Sequence, residues 1–559
     1  MADKYMIIDG VQCPFTDERN VLEVARHNGI DIPSLCYCEN LSIYEACRMC
    51  IVELEDGTVD TSCSFAPQEG MVVYTNTQKV QKSRKMILEL LLGSHRTECT
   101  TCDKASTCKL LEYCTRYRVN TARFGNLHTI PPIDDSSVCV VRDPGKCVLC
   151  GQCVRMCDEV QGVKALAFYQ RGSHSYIAPV NNQPLADTNC VGCGQCVTVC
   201  PTGALTVRND IERFWKMIHD KRHKVVVQVA PAVRVAVGEA FGLPAGEPAM
   251  GKLVTALKRI GVDVVYDTNA AADLTIMEES AEFLKKLETG AELPLFTSCC
   301  PGWIQHAEHK YPDLLPQIST CGSPMEMMGA LIRKQFKGER VYSVAIMPCT
   351  AKKYEGQREE LDKDGVPVID LVITTVELIR MIQELALDFK NLPETETDNP
   401  LGAYTGGGVI FGVTGGVTEA VIRRVLNDAS PDTLHTIAES GVRGLQGTKI
   451  FEVTAGEKTL RIGVVSGLKN TDALITRIKT GKEKLDFVEV MACPNGCIGG
   501  GGQPETNNRG KQKRSAGLFK ADSACEFRMS QENPALTYIY DELLEGRAHD
   551  LLHVHYVHE

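Results

Sequence analysis

The sequence predicts an α/β protein in which a large domain, with parallel sheets flanked by helices, follows several small α+β domains. From about residue 210, short apolar runs such as KVVVQV alternate with helical patterns such as MGKLVTALKRIG, which is typical of βαβ units. Before that residue, cysteines recur in groups with metal-ligand spacing. A chain of 559 residues is long enough for about four domains.

Composition narrows the classes of partner. The formal net charge of −11 disfavours nucleic acid and anionic membranes. No apolar run is long enough for a membrane helix, and MADKYMIIDGVQ lacks the regions of a signal peptide, so a cytoplasmic protein is expected. In such a protein, 26 cysteines favour metal ligation over disulfides.

Residues 1–80 have the pattern of a plant-type 2Fe-2S domain with a β-grasp fold. A strand-like YMIIDG precedes a helical pattern over residues 20–26, which Gly29 ends. Four cysteines with C-x10-C-x2-C-x12-C spacing suit such a cluster, and they are Cys36, Cys47, Cys50 and Cys63. Cys38 is an alternative to Cys36, and zinc is the alternative to the cluster.

Residues 81–125 contain a second ligand group. A helix is expected over residues 81–92, and the candidate ligands after it are His95, Cys99, Cys102 and Cys108. One histidine with three cysteines is a common zinc set, so the spacing alone leaves zinc and a 4Fe-4S cluster open.

Residues 126–209 contain an internal repeat of the bacterial ferredoxin run, C-x2-C-x2-C-x3-C. In such a repeat the fourth cysteine of each run ligates the other cluster. One 4Fe-4S cluster is therefore expected on Cys147, Cys150, Cys153 and Cys200, and another on Cys190, Cys193, Cys196 and Cys157. Two zinc ribbons are disfavoured because those use separated CxxC pairs.

In residues 210–559, three cysteine groups directly follow short apolar runs. The segments are FTSCCPGW at 296–303, IMPCTAK at 346–352 and EVMACPNGC at 489–497. Because ligands of open α/β sheets bind beyond the carboxyl ends of buried strands, these thiols are expected to converge. Four thiolates suit a cubane iron-sulfur cluster or a structural zinc. The glycines after Cys497 favour the cluster, since a backbone without side chains approaches a bulky group closely.

The segments TSCCPGW, PCTAKKYE and EVMACPNGCIGGGGQP resemble the signature segments of the iron-iron (FeFe) hydrogenases, and the resemblance extends over practically the whole chain. It implies an H-cluster, a 4Fe-4S cubane joined by a cysteine sulfur to a two-iron subsite with CO, cyanide and a bridging dithiolate. It also implies reversible reduction of protons to H2, a ferredoxin or similar electron carrier, and maturation proteins for the subsite. The resemblance favours Cys36 over Cys38 and a cluster at His95, which gives three accessory 4Fe-4S clusters and one 2Fe-2S cluster.

Residue roles in the large domain follow from the same resemblance. It assigns the cubane to Cys300, Cys349, Cys493 and Cys497, with Cys497 bridging to the subsite. It places the subsite among Pro231, Ala232, Met325, Met347, Phe411 and Met491. It directs the Lys352 ammonium at a cyanide ligand; the alternative is a surface lysine paired with Glu355.

The resemblance also implies a proton relay in the order Glu282, Ser319, Glu279, Cys299, and then the amine of the dithiolate. Glu279 and Glu282 lie three residues apart, so they share one face of the helix expected to begin near Ala271. The alternative is a solvated acidic edge that includes Glu278. Consecutive side chains of an extended segment point to opposite faces, so Cys299 and Cys300 are not both expected to bind one cubane. The resemblance assigns Cys300 to the cubane and Cys299 to the relay.

Three residues depart from the family pattern. Met325 stands where the family usually has glutamine, Ala232 replaces a serine of some members, and Lys286 falls where some have arginine. None of them removes a cluster ligand.

The remaining features receive structural interpretations. The glycine-rich 402–416 is interpreted as backbone that crowds the cluster, and the histidine-rich tail LLHVHYVHE as a docked segment, with metal binding as the alternative. Six cysteines are expected to be small apolar residues, and they are Cys13, Cys38, Cys114, Cys139, Cys321 and Cys525.

Two other functions are kept as alternatives. One is the hydrogenase subunit of an NAD(H)-linked complex, which requires partner subunits because the chain has no dinucleotide fingerprint. The other is a hydrogen sensor or electron-transfer scaffold, which Met325 favours and which Cys299 and the relay glutamates oppose.

Overall fold

The computed structural model describes residues 4–119, 123–124, 131–428, 430–455 and 458–556. The chain divides into two compact units. The first contains Met1–Glu159, Lys164–Thr188 and Val199–Thr206, and the second contains Val160–Val163, Asn189–Thr198 and Val207–Glu559. The expected domain boundary at residues 125 and 126 lies outside the described residues, and the division of the first 209 residues into three domains stays a prediction.

The first unit begins with the expected mixed sheet and helix. The sheet has the order β2-β1-β5-β3-β4, in which β1 and β5 are parallel and the other neighbours antiparallel. Helix α1 packs its apolar face on this sheet, and the Asn20 side chain caps its first turn by accepting from the Glu23 amide. The elements are β1 (Lys4–Ile8), β2 (Val11–Phe15), α1 (Val21–His27), β3 (Ile51–Leu54), β4 (Val59–Thr61) and β5 (Val72–Tyr74).

The rest of the first unit consists of short elements between the cysteine loops. Helices α2 and α3 pack together in one apolar cluster, strand β6 pairs with β9, and β7 pairs with β8. The elements are α2 (Gln78–Leu92), α3 (Lys109–Tyr117), β6 (Val140–Arg142), α4 (Gln152–Arg155), β7 (Leu166–Tyr169), β8 (Tyr176–Pro179) and β9 (Leu205–Val207).

The second unit contains two sheets, which confirms the α/β prediction. The first sheet has the order β11-β10-β13-β14 and is parallel throughout. The second has the order β12-β17-β16-β15, in which the pair β15 and β16 is antiparallel and the other pairs are parallel. The strands are β10 (Lys224–Val229), β11 (Val264–Asp267), β12 (Leu295–Phe296), β13 (Val341–Met347), β14 (Leu371–Thr374), β15 (Thr448–Ala455), β16 (Lys458–Ser466) and β17 (Phe487–Met491).

Helices flank these sheets, and α8 is central to the site. It begins two residues before the predicted Ala271, and its first half is buried. The helices are α5 (Gln195–Thr198), α6 (Ile211–His219), α7 (Met250–Ile260), α8 (Asn269–Thr289), α9 (Pro301–Lys310), α10 (Pro324–Gln335), α11 (Lys352–Glu355), α12 (Thr375–Glu384), α13 (Gly406–Val409), α14 (Gly416–Leu426), α15 (Pro431–Ile437), α16 (Leu468–Lys479), α17 (Asn508–Ala524), α18 (Ala535–Tyr538) and α19 (Ala548–Leu552).

The C-terminal tail is docked as predicted. The Val554 amide donates to the Thr320 carbonyl at 2.7 Å, and the Gly322 amide donates to the Leu552 carbonyl at 2.7 Å. His558 lies outside the described residues. Among the helices that the structure describes, none is both long and apolar enough to cross a membrane.

Candidate active site

Four thiols meet in one cavity of about 740 Å³ inside the second unit. Cys300 follows β12, Cys349 follows β13, and Cys493 and Cys497 follow β17. The convergence of strand ends is therefore confirmed. The structure adds that these ends belong to both sheets, because β13 lies in the first sheet while β12 and β17 lie in the second.

The chemistry of these thiols fits a metal cluster. Burial raises the pKa of Cys300, Cys493 and Cys497, and it raises that of Cys349 to about 12, with neighbouring thiols adding to the shift in Cys349, Cys493 and Cys497. Metal coordination deprotonates a thiol outright, so such a site becomes anionic when a cation binds. Four sulfur donors select zinc or an iron-sulfur cluster, and the cavity extends beyond the thiols to Pro231, Ala232 and Phe411, which a single zinc ion does not require.

The predicted surroundings of the subsite line the same cavity. All six residues are there, namely Pro231, Ala232, Met325, Met347, Phe411 and Met491. Met347 ends β13 and Met491 ends β17, so both thioethers are fixed by the strands that position the ligands. Sequence reasoning missed Ala230 and Thr268, although they directly follow β10 and β11 and the same strand-end rule finds them.

Lys352 lies on α11 at the cavity wall. Its Nζ donates to Glu355 Oε2 at 2.5 Å and to the Cys299 carbonyl at 3.3 Å. Burial lowers the pKa of Lys352, but Glu355 more than offsets this and raises it above its ordinary value. The alternative of a surface lysine is wrong because the side chain is buried, although the expected pairing with Glu355 is present.

Cys299 and Cys300 both line the cavity but have different neighbours. Cys300 Sγ accepts from the Ala492 amide at 3.3 Å, next to the other ligand thiols. Cys299 lies near Glu279, since burial and then the Glu279 carboxyl raise the pKa of this thiol well above its ordinary value. The Cys299 thiol therefore stays protonated until another group can supply a new proton in exchange.

Glu279 is 1% exposed on α8, so the alternative of a solvated edge is wrong for this residue. Burial, followed by the charge of Glu282, raises the pKa of Glu279 to about 8. Neither of its carboxyl oxygens meets hydrogen-bond geometry with a group that the structure describes. A buried carboxyl that titrates near neutral pH is suited to proton transfer.

Ser319 lies near both Glu279 and Glu282. Its hydroxyl donates to Glu282 Oε2 at 2.9 Å, and its proximity lowers the pKa of Glu279. Glu282 is half-buried and also accepts from the Thr320 amide at 3.1 Å. Lys286 lies beyond it on α8 and donates to the Pro316 carbonyl at 3.3 Å. The structure therefore brings the predicted relay residues together.

The ligand candidates of the first unit also form groups. The four expected 2Fe-2S ligands are buried and shift one another's pKa, and they are Cys36, Cys47, Cys50 and Cys63. Burial lowers the pKa of His95 to about 4, and its Nδ1 has no partner among the described residues. A neutral imidazole with a free nitrogen is the form that binds metal. Cys102 and Cys99 raise the pKa of Cys108, so the cysteines of this group lie together.

The ferredoxin-like repeat is divided between the units. Four of its cysteines line a cavity of about 420 Å³ in the first unit, and they are Cys147, Cys150, Cys153 and Cys200. Cys157 belongs to the same unit, whereas Cys190, Cys193 and Cys196 belong to the second. The second ligand set stays a prediction.

The loop with Cys193 packs on the catalytic loops. The Thr350 hydroxyl donates to the Gly192 carbonyl at 2.6 Å, and Gln195 Nε2 donates to the Gly499 carbonyl at 2.9 Å. Cys193 contributes to the raised pKa of Cys493. These two predicted ligands of different clusters are therefore near neighbours.

The glycine-rich segments need a correction. A Cβ on Gly500 would lie 2.2 Å from the Pro348 carbonyl oxygen, and one on Gly408 would lie 2.5 Å from the Asn269 carbonyl oxygen. Glycine is therefore required at these two positions because a Cβ would clash with the backbone of another segment of the protein. Gly412, Gly496 and Gly500 also line the cavity, and for these three the expected approach to a cluster stays a prediction.

The fold and the four-thiol cavity define an iron-sulfur redox protein, and comparison with known proteins gives its family. The profile of the iron only hydrogenase large subunit, C-terminal domain, matches residues 223–501, and that of the iron hydrogenase small subunit matches residues 508–559. Three profiles match the earlier residues: a 2Fe-2S iron-sulfur cluster binding domain at 6–78, the NADH-ubiquinone oxidoreductase-G iron-sulfur binding region at 84–123, and the ferredoxin-like domain of NADH-quinone oxidoreductase subunit 3 at 138–206.

Similar proteins extend over nearly the whole chain. The NADP-reducing hydrogenase subunit HndD of Solidesulfovibrio fructosivorans is 40% identical over 98% of each chain. Iron hydrogenase 1 of Clostridium pasteurianum is 35% identical over 99% of this chain and 100% of its own. A solved FeFe hydrogenase of Chlamydomonas reinhardtii has a TM-score of 0.53 and 38% identity over 63% of this chain and 99% of its own. The chain belongs to the iron-only (FeFe) hydrogenase family, as a hydrogenase with N-terminal iron-sulfur domains for electron relay.

Proposed function

We propose that this hydrogenase reversibly combines two protons and two electrons into H2 at the cavity of the second unit, using electrons from a ferredoxin or similar carrier. The observation that carries the proposal is that one cavity is lined by four soft thiols and by Cys299, which lies near the buried Glu279 carboxyl. Cys299 and Glu279 begin a proton line, a series of side chains that can pass protons. Electron transfer alone needs the thiols but not the proton line.

In this proposal Cys300, Cys349, Cys493 and Cys497 would hold the cubane, and Cys497 would also serve the two-iron subsite. When bound, the H-cluster supplies the metal chemistry that joins protons and electrons. The protein surrounds it with apolar side chains, of which Met325, Met347 and Met491 are at most 2% exposed. These side chains exclude water, while soft thioethers fill the irregular space.

Lys352 orients an anionic ligand in this proposal. Its buried ammonium has one carboxylate partner, Glu355, and further donor capacity at the cavity wall. An anion such as cyanide on the cavity side satisfies that capacity, which would otherwise be costly in an apolar site.

Protons reach the cavity through Glu282, Ser319, Glu279 and Cys299. Because the pKa of Glu279 is about 8, this carboxyl both takes up and releases a proton near neutral pH. Burial raises the pKa of Cys299, so its thiol stays protonated and gives its proton to the cavity only as Glu279 supplies the next one.

Electrons arrive through one 2Fe-2S and three 4Fe-4S accessory clusters with the ligand sets predicted from the sequence. The proximity of Cys193 and Cys493 supports a direct step from the cluster of the Cys190–Cys196 loop to the cubane. The neutral, orphaned His95 supports its role as a ligand of another cluster.

A second candidate is the hydrogenase subunit of an NADP(H)-linked complex. The 40% identity to an NADP-reducing hydrogenase subunit over nearly the full length favours it. Both candidates share the same catalytic cavity and differ in the electron donor. Hydrogen evolution from the isolated chain with reduced ferredoxin supports the first, and a requirement for partner subunits and NADPH supports the second.

The proposed chemistry is tested on anaerobically matured protein by infrared spectroscopy together with hydrogen evolution. We expect CO and cyanide bands and H2 production from a reduced mediator. Iron-sulfur clusters without these bands and without H2 production would refute the proposed activity.

A further inference from the structure

The C-terminal tail places a histidine beside the outer end of the proton line. His553 Nδ1 lies 2.8 Å from the Thr320 hydroxyl, which in turn lies 3.4 Å from Glu282 Oε2. His553 Nε2 lies 3.1 Å from Glu278 Oε2. An unbroken series of polar groups therefore connects the tail to Glu282.

The tail backbone holds this histidine in place. Cys321 and His553 form an antiparallel bridge, and the hydrogen bonds on either side of it fix the tail along residues 320–322. The His553 side chain is 10% exposed, while His549 and His555 nearby are exposed. The His549 and His553 rings have centroids 4.7 Å apart. The series thus begins at the surface and ends at the half-buried Glu282 carboxyl.

We propose that His553 is a second proton inlet of this hydrogenase, passing protons from the surface histidines through Thr320 to Glu282. This inference rests on the proposed relay and extends it outward from Glu282. Imidazole is the side chain best suited to shuttle protons near neutral pH.

The transfer balances without any further reactant. The imidazolium of His553 breaks its Nδ1–H bond and a new O–H bond forms on Thr320, while Thr320 passes its own hydroxyl proton to the Glu282 carboxylate. The result is neutral His553, an unchanged threonine and protonated Glu282. The ring then regains a proton from His549 or from solvent.

Charged and titratable groups surround His553. Hydrogen bonds from His553 and Tyr540 lower the pKa of Glu278, although burial raises it. This carboxylate accepts from Tyr540 on one oxygen and lies within hydrogen-bond distance of Nε2 on the other. The Lys363 ammonium donates to the backbone carbonyl of His553 at 2.9 Å. Other titratable neighbours are Glu282 and Cys321. A Glu282 carboxyl oxygen and the Cys321 sulfur each lie within 4.8 Å of a His553 ring nitrogen. The His549 ring also packs beside the His553 ring.

The test uses the full-length matured enzyme and two variants that break the series at different points. His553→Ala removes the shuttle, and Thr320→Val removes the hydroxyl but keeps the amide that donates to Glu282. We expect each to lower hydrogen evolution by about tenfold, less than the 10²–10⁴-fold effect of a positioned acid or base, because solvent still reaches Glu282. Thr320→Ser should restore the rate.

Added imidazole separates a proton shuttle from a structural anchor. It should restore most of the rate of His553→Ala but none of that of Thr320→Val, where the link to Glu282 is missing. The matched control is His435→Ala, which removes an exposed histidine paired with Glu439 far along the chain, and it should behave as wild type.

Wild-type rates in Thr320→Val, or a loss in His553→Ala that imidazole does not restore, would overturn the inlet. If His553→Ala does not assemble the infrared bands, Thr320→Val decides, since the tail backbone is unchanged. Failure of the main relay gives a different result, namely normal turnover in Cys299→Ala.

Discussion

Two cavities of the molecule each bring together four predicted ligand thiols, and the two sets of thiols come from different kinds of sequence pattern. In the first unit, three thiols come from the run 147–153 and the fourth from Cys200, around about 420 Å³. In the second unit, Cys300, Cys349, Cys493 and Cys497 come from strand ends of two sheets, around about 740 Å³. A local run of cysteines suffices for an electron carrier. The cavity of the second unit is also lined by Cys299, which lies near the buried Glu279 carboxyl. A reaction that consumes protons requires such groups to deliver them.

The largest expected effect tests whether proton delivery through Cys299 distinguishes the cavity of the second unit from that of the first. Cys299→Ala should assemble all clusters yet lose hydrogen turnover by about 10²-fold or more, because a positioned proton donor is removed. Cys299→Asp should recover part of the activity. Gas chromatography of evolved H2, with infrared spectra of the same samples, checks both expectations. Near-normal turnover in the alanine variant would mean that Cys299 only fills space.

The accessory cavity should respond differently. Cys200→Ser should lower hydrogen evolution severalfold with a protein electron carrier but much less with a small mediator, because it removes a ligand from the electron path only. Cys139→Ser, at another buried cysteine, is the matched control. An equal loss with both donors would place Cys200 in the chemistry or in folding of the whole chain.

A smaller change concerns ligand choice in the first unit. Cys36→Ser should abolish the native 2Fe-2S signal in electron paramagnetic resonance, since its thiol shifts the pKa of Cys47, Cys50 and Cys63. Cys38→Ser should leave that signal unchanged. The reverse pattern would reassign the ligand.

A further expected effect is on stability. Glu279 has a pKa of about 8 against an ordinary value of 4.5, so its contribution is fully present below about pH 4.5 and is lost as pH rises towards 8. The maximal slope for one proton is about 1.4 kcal/mol per pH unit. Glu279→Gln cannot ionise and should flatten the fall in melting temperature between pH 5 and 8. An unchanged pH profile would mean that Glu279 does not titrate there.

Much of both cavities follows from the sequence because ligand spacing and apolar strand patterns are local. The thiol groups and the helix that bears Glu279 were predictable in this way, whereas the methionines at strand ends followed from the resemblance to the FeFe hydrogenases. The burial of Lys352 was not, since a lysine with Glu355 three residues later reads equally well as a surface pair. The link from His553 to Glu282 depends on tail docking over more than two hundred residues of sequence, which no local pattern encodes.

The protonation state of the Cys299 thiol also could not be predicted from the sequence alone. A free thiol has a pKa of about 8.5, which by itself indicates easy proton release. In the folded protein, burial and Glu279 raise that pKa, so release depends on resupply from the carboxyl. Desolvation depends on the packing of the whole second unit, and spacing does not reveal it.

The most direct test of the account compares infrared spectra of matured Cys300→Ala and Cys299→Ala. Cys300 Sγ lies among the ligand thiols and Cys299 lies towards Glu279, so the two neighbours should behave in opposite ways. The account predicts that Cys300→Ala loses the CO and cyanide bands while Cys299→Ala retains them. Retention in Cys300→Ala with loss in Cys299→Ala would contradict it.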